Sequence, residues 1–163
     1  MKFLTLLRHA KSRHTADGGA DIERPLNDRG RSDASLMGAT LFASFPAPDV
    51  VLASPALRVR QTLENLRAGG AVLPENRIEF HDALYLAEAE LIWDFASSSL
   101  MGHDHVWLVA HNPGITEAVE QLSGARIEHL PTLGIARIAF EEVILESPNG
   151  TLVYFDVPSH RRA

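Results

Sequence analysis

DVVLASPALRVRQTLENL, residues 49–66, changes its periodicity within three residues. Val50 to Ala53 form a short, uninterrupted apolar run, as expected of a strand buried on both faces. Beyond it, Ala56, Val59, Leu63 and Leu66 fall on one stripe at helical spacing. Ser54 is read as the helix N-cap and Pro55 as its first helical residue. A doubly buried strand that feeds straight into an amphipathic helix is half of a strand–helix–strand unit, and such units build parallel sheets.

The same alternation extends in both directions. KFLTLL, residues 2–7, is strand-like, and RSDASLMGATLFASF, residues 31–45, has Ala34, Leu41 and Phe45 at helical spacing. RIEF (77–80) and HVWLVAH (105–111) read as strands, with the helix ELIWDFASSSL (90–100) between them. PGITEAVEQLSG (113–124) reads as a helix capped by Asn112, opened by Pro113 and stopped by Gly124. LGIARIAF (133–140) and TLVYFDV (151–157) give two strands around a PNG turn. The expected fold is α/β: a three-layer sandwich around a mostly parallel central sheet, with the last strand antiparallel. No repeat, linker or low-complexity tract divides residues 1–163, so one domain is expected.

Composition narrows the function. The 163 residues are 45% hydrophobic and 22% charged, and the net charge of -6 argues against a nucleic-acid or anionic-membrane binder. The absence of cysteine removes thiol nucleophiles and thiolate metal sites, and fits a reducing compartment. The apolar stretch before Arg8 is too short for a signal-peptide core. The expectation is a cytoplasmic monomer.

In open α/β sheets, ligands bind beyond the carboxyl ends of the strands. Arg8 and His9 leave the first strand, Arg58 lies in the first turn after the second, and His111 ends the strand 105–111. Taken singly, each has an ordinary reading: a solvated strand end, a surface arginine, a hydrogen-bonded core histidine. Together, with two helix N-termini, they form a candidate phosphate pocket. A neutral imidazole can attack phosphorus and carry it as phosphohistidine. Each arginine that stabilises the transition state contributes roughly 3–4 kcal/mol, a hundred- to thousand-fold in rate. A P-loop, a GxSxG elbow around Ser54 and a DxD nucleophile pair are all missing from the sequence.

LLRHAKS (6–12), LASPALRVRQT (52–62) and VAHNPGI (109–115) resemble, in order, the signatures of the histidine phosphatase superfamily, with Ala10 where a glycine is usual. DIERPLNDRGRSDA, from Asp21, is similar to the small bacterial subgroup that contains the SixA-type phosphohistidine phosphatases. The resemblance implies a phosphoglycerate-mutase-like fold. It implies His9 as nucleophile and Arg8, Arg58 and His111 as the phosphate cradle, with His111 stabilising charge. It also implies a cofactor-free, metal-independent enzyme, the two arginines supplying the charge of a metal. Mutase-like members place an acidic glutamate where this chain has Leu86, within HDALYLAEAEL (81–91). Glu88 and Asp82 are the nearest substitutes. A missing acid suits a P–N bond, because imidazole leaves far more readily than an alkoxide.

The expected activity is therefore hydrolysis of a phosphohistidine, on a phosphorylated protein, or of a related phosphoramidate. The alternatives are a small-molecule phosphomonoesterase that uses Glu88 or Asp82 as acid, and a non-catalytic phospho-ligand-binding module. Ser12, Lys11 and the Asn112 amide are candidate phosphate contacts, and Arg24 is read as a structural ion pair. His103 and His105 sit at the opposite end of their strand and are not read as metal ligands. His14, His81, His129 and His160 have no partner visible in the sequence.

Overall fold

The computed structural model describes residues 1–14 and 19–162. Six strands form one sheet: β1 (Lys2–Arg8), β2 (Val50–Ala53), β3 (Ile78–Phe80), β4 (His105–Ala110), β5 (Ile135–Phe140) and β6 (Thr151–Asp156). Their order is β3-β2-β4-β1-β5-β6. The first four run parallel, while β5 is antiparallel to β1 and β6 antiparallel to β5. The sheet is thus mostly parallel as expected, but its antiparallel part begins one strand earlier. The link between β5 and β6 spans residues 141–150, so the PNG segment closes a longer loop instead of forming the turn itself.

Helices α1 (Asp28–Ser44) and α2 (Leu57–Ala68) cover one face; α3 (Ala89–Leu100) and α4 (Gly114–Ser123) cover the other. The central strands divide their side chains between the faces with a period of two. In β4, Trp107 and Val109 pack toward α1 and α2, while Val106, Leu108 and Ala110 pack toward α3 and α4. This double burial explains the uninterrupted apolar runs. Among the described residues, no helix is long and apolar enough to cross a membrane.

Three helix starts differ from the sequence reading. α1 begins earlier, at Asp28, because the Asn27 side chain accepts the Gly30 N–H at 2.8 Å and caps it. α2 begins at Leu57 behind Ala56, with no side-chain cap. Pro55 disfavours helical backbone at Ser54, which leaves that hydroxyl free for another partner. α4 begins at Gly114 behind Pro113. Asn112 therefore does not cap it, and its side-chain oxygen accepts from Thr116 Oγ1 at 2.6 Å instead. Gly124 does stop α4, in the left-handed region at φ 70°.

Two close approaches position the loops around the strand ends. A Cβ on Gly30 would lie 2.1 Å from the Lys11 carbonyl oxygen, so α1 packs directly on the segment after His9. A Cβ on Gly114 would lie 1.9 Å from the Ala87 carbonyl oxygen, pressing α4 against the loop before α3.

Candidate active site

The registers of β1, β4 and β2 align three carboxyl ends side by side: Arg8 pairs with Ala110, and Ala53 with Val109. The first residues beyond those ends are His9, His111 and Ser54. All three are buried. Arg58 enters from the first turn of α2 and is only 2% exposed. Arg8, His9, Arg58 and His111 line a cavity of about 390 Å³, with Ser54 behind His111.

His9 is 6% exposed and its ring is fixed by the backbone of the next residue. Nδ1 lies 2.7 Å from the Ala10 carbonyl oxygen and donates to it. That assigns the proton to Nδ1 and the lone pair to Nε2. The Nε2 atom faces Arg58 Nε at 3.4 Å. The Ala10 amide donates to Thr62 Oγ1 at 3.0 Å, which holds the segment against α2. Ala10 itself is fully buried, so the alanine is packed where a glycine is usual.

His111 carries the opposite tautomer. Its Nε2 donates to Ser54 Oγ at 2.7 Å, and its Nδ1 faces Arg58 NH2 at 3.3 Å. The expected N-cap serine is thus the anchor of the second histidine. The two rings lie 5.2 Å apart, tilted by 55°. Burial is the main force on both. Together with the charges of His111, Arg58 and Arg8, and against the Ala10 hydrogen bond, it pushes His9 down to about 3; together with Arg58 it pushes His111 down to about 4. Both rings are therefore neutral at neutral pH, and Nε2 of His9 is available as a nucleophile.

This has a measurable consequence. Both folded values lie below the ordinary histidine value of 6.5. As pH falls below about 6.5, the unfolded chain takes up protons that the native chain refuses. Stability should fall with pH from about 6.5 toward 4, followed as the urea midpoint. Ring NMR should show no titration of His9 or His111 between pH 8 and 5; a midpoint near 6.5 for either would contradict the buried geometry.

Arg8 donates to the Leu130 carbonyl oxygen at 3.2 Å and lies 3.3 Å from His129 Nε2. Its Nε is buried without a partner among the described residues. His129, with no partner visible in the sequence, also lies 3.4 Å from the Asn112 amide nitrogen. Ser12, Lys11, His14 and Asn112 line the cavity. The Ser12 hydroxyl accepts from Arg24 NH1 at 3.0 Å, and Asn112 Nδ2 donates to the Leu130 carbonyl oxygen at 2.9 Å. Arg24 makes the structural ion pair expected of it, with Asp21 at 2.9 Å, and also reaches the cavity wall.

Neither candidate acid is in the cavity. Asp82 sits in a short 3-10 turn (Asp82–Leu84) and Glu88 precedes α3, lining an adjacent groove. Leu86 lines the cavity instead, at φ 54°. The sequence reading missed Asp21 and Tyr85. Asp21 binds Arg58, and the Tyr85 hydroxyl donates to the same carboxylate. Their only local signal was the i,i+3 spacing of Asp21 and Arg24. His103 bonds the Ser99 carbonyl oxygen and His105 accepts from Arg137, so both are occupied within the fold.

A sequence profile of the histidine phosphatase superfamily (branch 1) matches residues 4–84. The Mycobacterium tuberculosis protein Rv1276c is 36% identical over 162 residues, covering 93% of this chain and 99% of its own. The chain belongs to the histidine phosphatase superfamily. It is a phosphatase with the phosphoglycerate-mutase-like fold, of the SixA-like subgroup. A candidate SixA phosphohistidine phosphatase of Agrobacterium tumefaciens is 27% identical, with a TM-score of 0.82 over 96% of this chain and 98% of its own. The protein histidine phosphatase SixA complexed with tungstate is 25% identical, with a TM-score of 0.84 over 98% of this chain and 99% of its own.

Proposed function

We propose that this histidine phosphatase hydrolyses a phosphohistidine or related phosphoramidate through a phospho-His9 intermediate. One observation carries the choice of substrate. Among the described residues, the only carboxyl lining the cavity is Asp21. The Tyr85 hydroxyl, and after it Arg58, hold that carboxyl down at about 2. It is an anion at working pH and has no proton to give. With Leu86 at the place of the acid, none of the described residues lining the cavity offers a carboxylic acid to an alkoxide. A phosphoimidazole protonated on its second nitrogen needs none, because it departs as neutral imidazole.

In the first step His9 Nε2 bonds to phosphorus, and the P–N bond of the substrate breaks with its electron pair returning to the leaving ring. In the second, water attacks phosphorus, the bond to Nε2 breaks and phosphate leaves. Arg8, Arg58 and His111 surround the transferring oxygens, and the guanidinium charges meet the developing negative charge. The tungstate named with the SixA structure is a tetrahedral oxyanion, which accords with such a cradle. A protein-borne substrate accords with the surroundings: Leu86 and Asn112 also line neighbouring grooves of about 420 and 490 Å³.

The test is a panel of phosphoramidate, phosphohistidine peptide and alkyl phosphomonoesters at neutral pH with EDTA. P–N substrates should exceed the alkyl monoesters in kcat/KM by about a hundredfold or more, the usual reach of general-acid catalysis. Glu88→Gln and Asp82→Asn should leave turnover within about twofold, since neither side chain reaches the cavity. Faster monoester turnover that either variant abolishes would replace this reading with a phosphomonoesterase.

A further inference from the structure

Arg58 is held by two unlike sets of bonds. On its outer edge NH1 donates to the Asp21 backbone carbonyl at 2.8 Å, and NH2 donates to the Asp21 carboxylate at 3.0 Å. On its inner edge Nε faces His9 Nε2 at 3.4 Å, and NH2 faces His111 Nδ1 at 3.3 Å. The outer pair is short and charge-assisted; the inner pair is at the long limit for a hydrogen bond. Phosphoryl oxygens arriving at His9 can replace the inner pair at little cost, and the outer pair can stay in place.

We infer that Asp21 is a positioning residue for phosphoryl transfer: it grips one edge of the Arg58 guanidinium so that the other edge stays aimed at the phosphoryl group. This rests on the reading of His9 and Arg58 as the groups that take and cradle phosphate. Arginine is suited to being held this way, because its planar fork offers two usable edges. Asp21 is itself fixed by two further residues, one of which also holds the segment after His9. The Tyr85 hydroxyl shares its Oδ2, Arg24 Nε donates to its Oδ1 at 2.9 Å, and Arg24 NH1 ties down Ser12 Oγ and the Arg13 carbonyl oxygen. Tyr85 also stands edge-on to His111 at 5.4 Å, so one ring supports the clamp and borders the second histidine. The segment after His9 is thereby tied to Arg58 through a chain of hydrogen bonds.

The experiment compares wild type, Asp21→Ala, Arg58→Lys and the double variant. Tungstate affinity is read by calorimetry, and kcat and KM with phosphoramidate. Asp21→Ala should weaken tungstate binding and lower kcat by about tenfold each, within the coupling seen between contacting residues. In the Arg58→Lys background, where no fork remains to be gripped, the same change should add less than about twofold. Tyr85→Phe removes one hydroxyl and should move both readouts the same way by about two- to threefold. Equal losses in both backgrounds would show that Asp21 acts independently of Arg58 and overturn the inference. Tighter tungstate binding in Asp21→Ala would also overturn it, because the carboxylate would then be competing with the oxyanion. Tungstate binding needs no substrate. Lost phosphoramidate turnover with the coupling intact counts against the proposed substrate, and lost coupling with turnover intact counts against the role of Asp21.

Discussion

His9→Ala is expected to abolish turnover, with a loss of about ten-thousand-fold or more in kcat, the scale seen when a covalent nucleophile is removed. His111 cannot take over. Its Nδ1 lone pair faces Arg58 and its Nε2 proton is committed to Ser54, with a 5.2 Å ring separation from His9. Phosphorus held in line with His9 Nε2 is therefore out of line with His111. The chemical signature is as informative as the rate. Wild-type enzyme quenched during turnover of a labelled phosphoramidate should carry an acid-labile, alkali-stable label, as a phosphohistidine does. The variant should carry none. A label of the same stability on His9→Ala would remove His9 as the nucleophile. The variant should fold, because loss of a buried neutral ring at the cavity edge leaves both hydrophobic layers intact, and circular dichroism checks this.

Arg58→Ala is the second large effect, with an expected loss of about a hundred- to a thousand-fold in kcat. Arg58 touches both imidazoles and Asp21, so its removal has three consequences at one site. The transition state loses a buried guanidinium. The Asp21 carboxylate loses a cation and repels the incoming phosphoryl group. Both histidines lose a neighbouring positive charge that now lowers them, so their ring titrations should move upward. The rate loss and the NMR shift must appear together. A large rate loss with unmoved histidine titrations would mean that Arg58 acts away from the rings, against the distances. Arg58→Lys should recover part of the rate, since it restores charge without the fork.

The strand ends were legible because burial on both faces leaves a plain mark. VVLA and LVA are uninterrupted apolar runs and LTLL is broken only by the buried Thr5, and the polar residues that follow them (Ser54, His111, and Arg8 with His9) fall at the rim, with Arg58 in the first turn of the next helix. That placed His9, Arg58 and His111 on one side of the sheet before any coordinates, and the signature segments agreed. Helix starts were less legible. Ser54 and Asn112 have the chemistry of caps, and a sequence does not show that a stronger partner is waiting. For Ser54 that partner is His111, fifty-seven positions away. For Asn112 it is Thr116 and the Leu130 carbonyl.

Asp21 shows the same limit from the other side. In the sequence it is one acidic residue among several in a polar loop, next to an arginine at i+3. Its charge is spent on Arg58, 37 positions later, and its proton is kept away by Tyr85, 64 positions later. Periodicity records which face of an element is buried, since burial repeats along that element. It does not record a hydrogen bond between two loops, since that bond depends on where the loops end in space. The amino-acid sequence alone therefore determined the layered sheet, the rim and which arginines and histidines meet there. Only the tertiary structure decided which tautomer each histidine holds, which residues grip Arg58, and that neither Glu88 nor Asp82 lines the cavity.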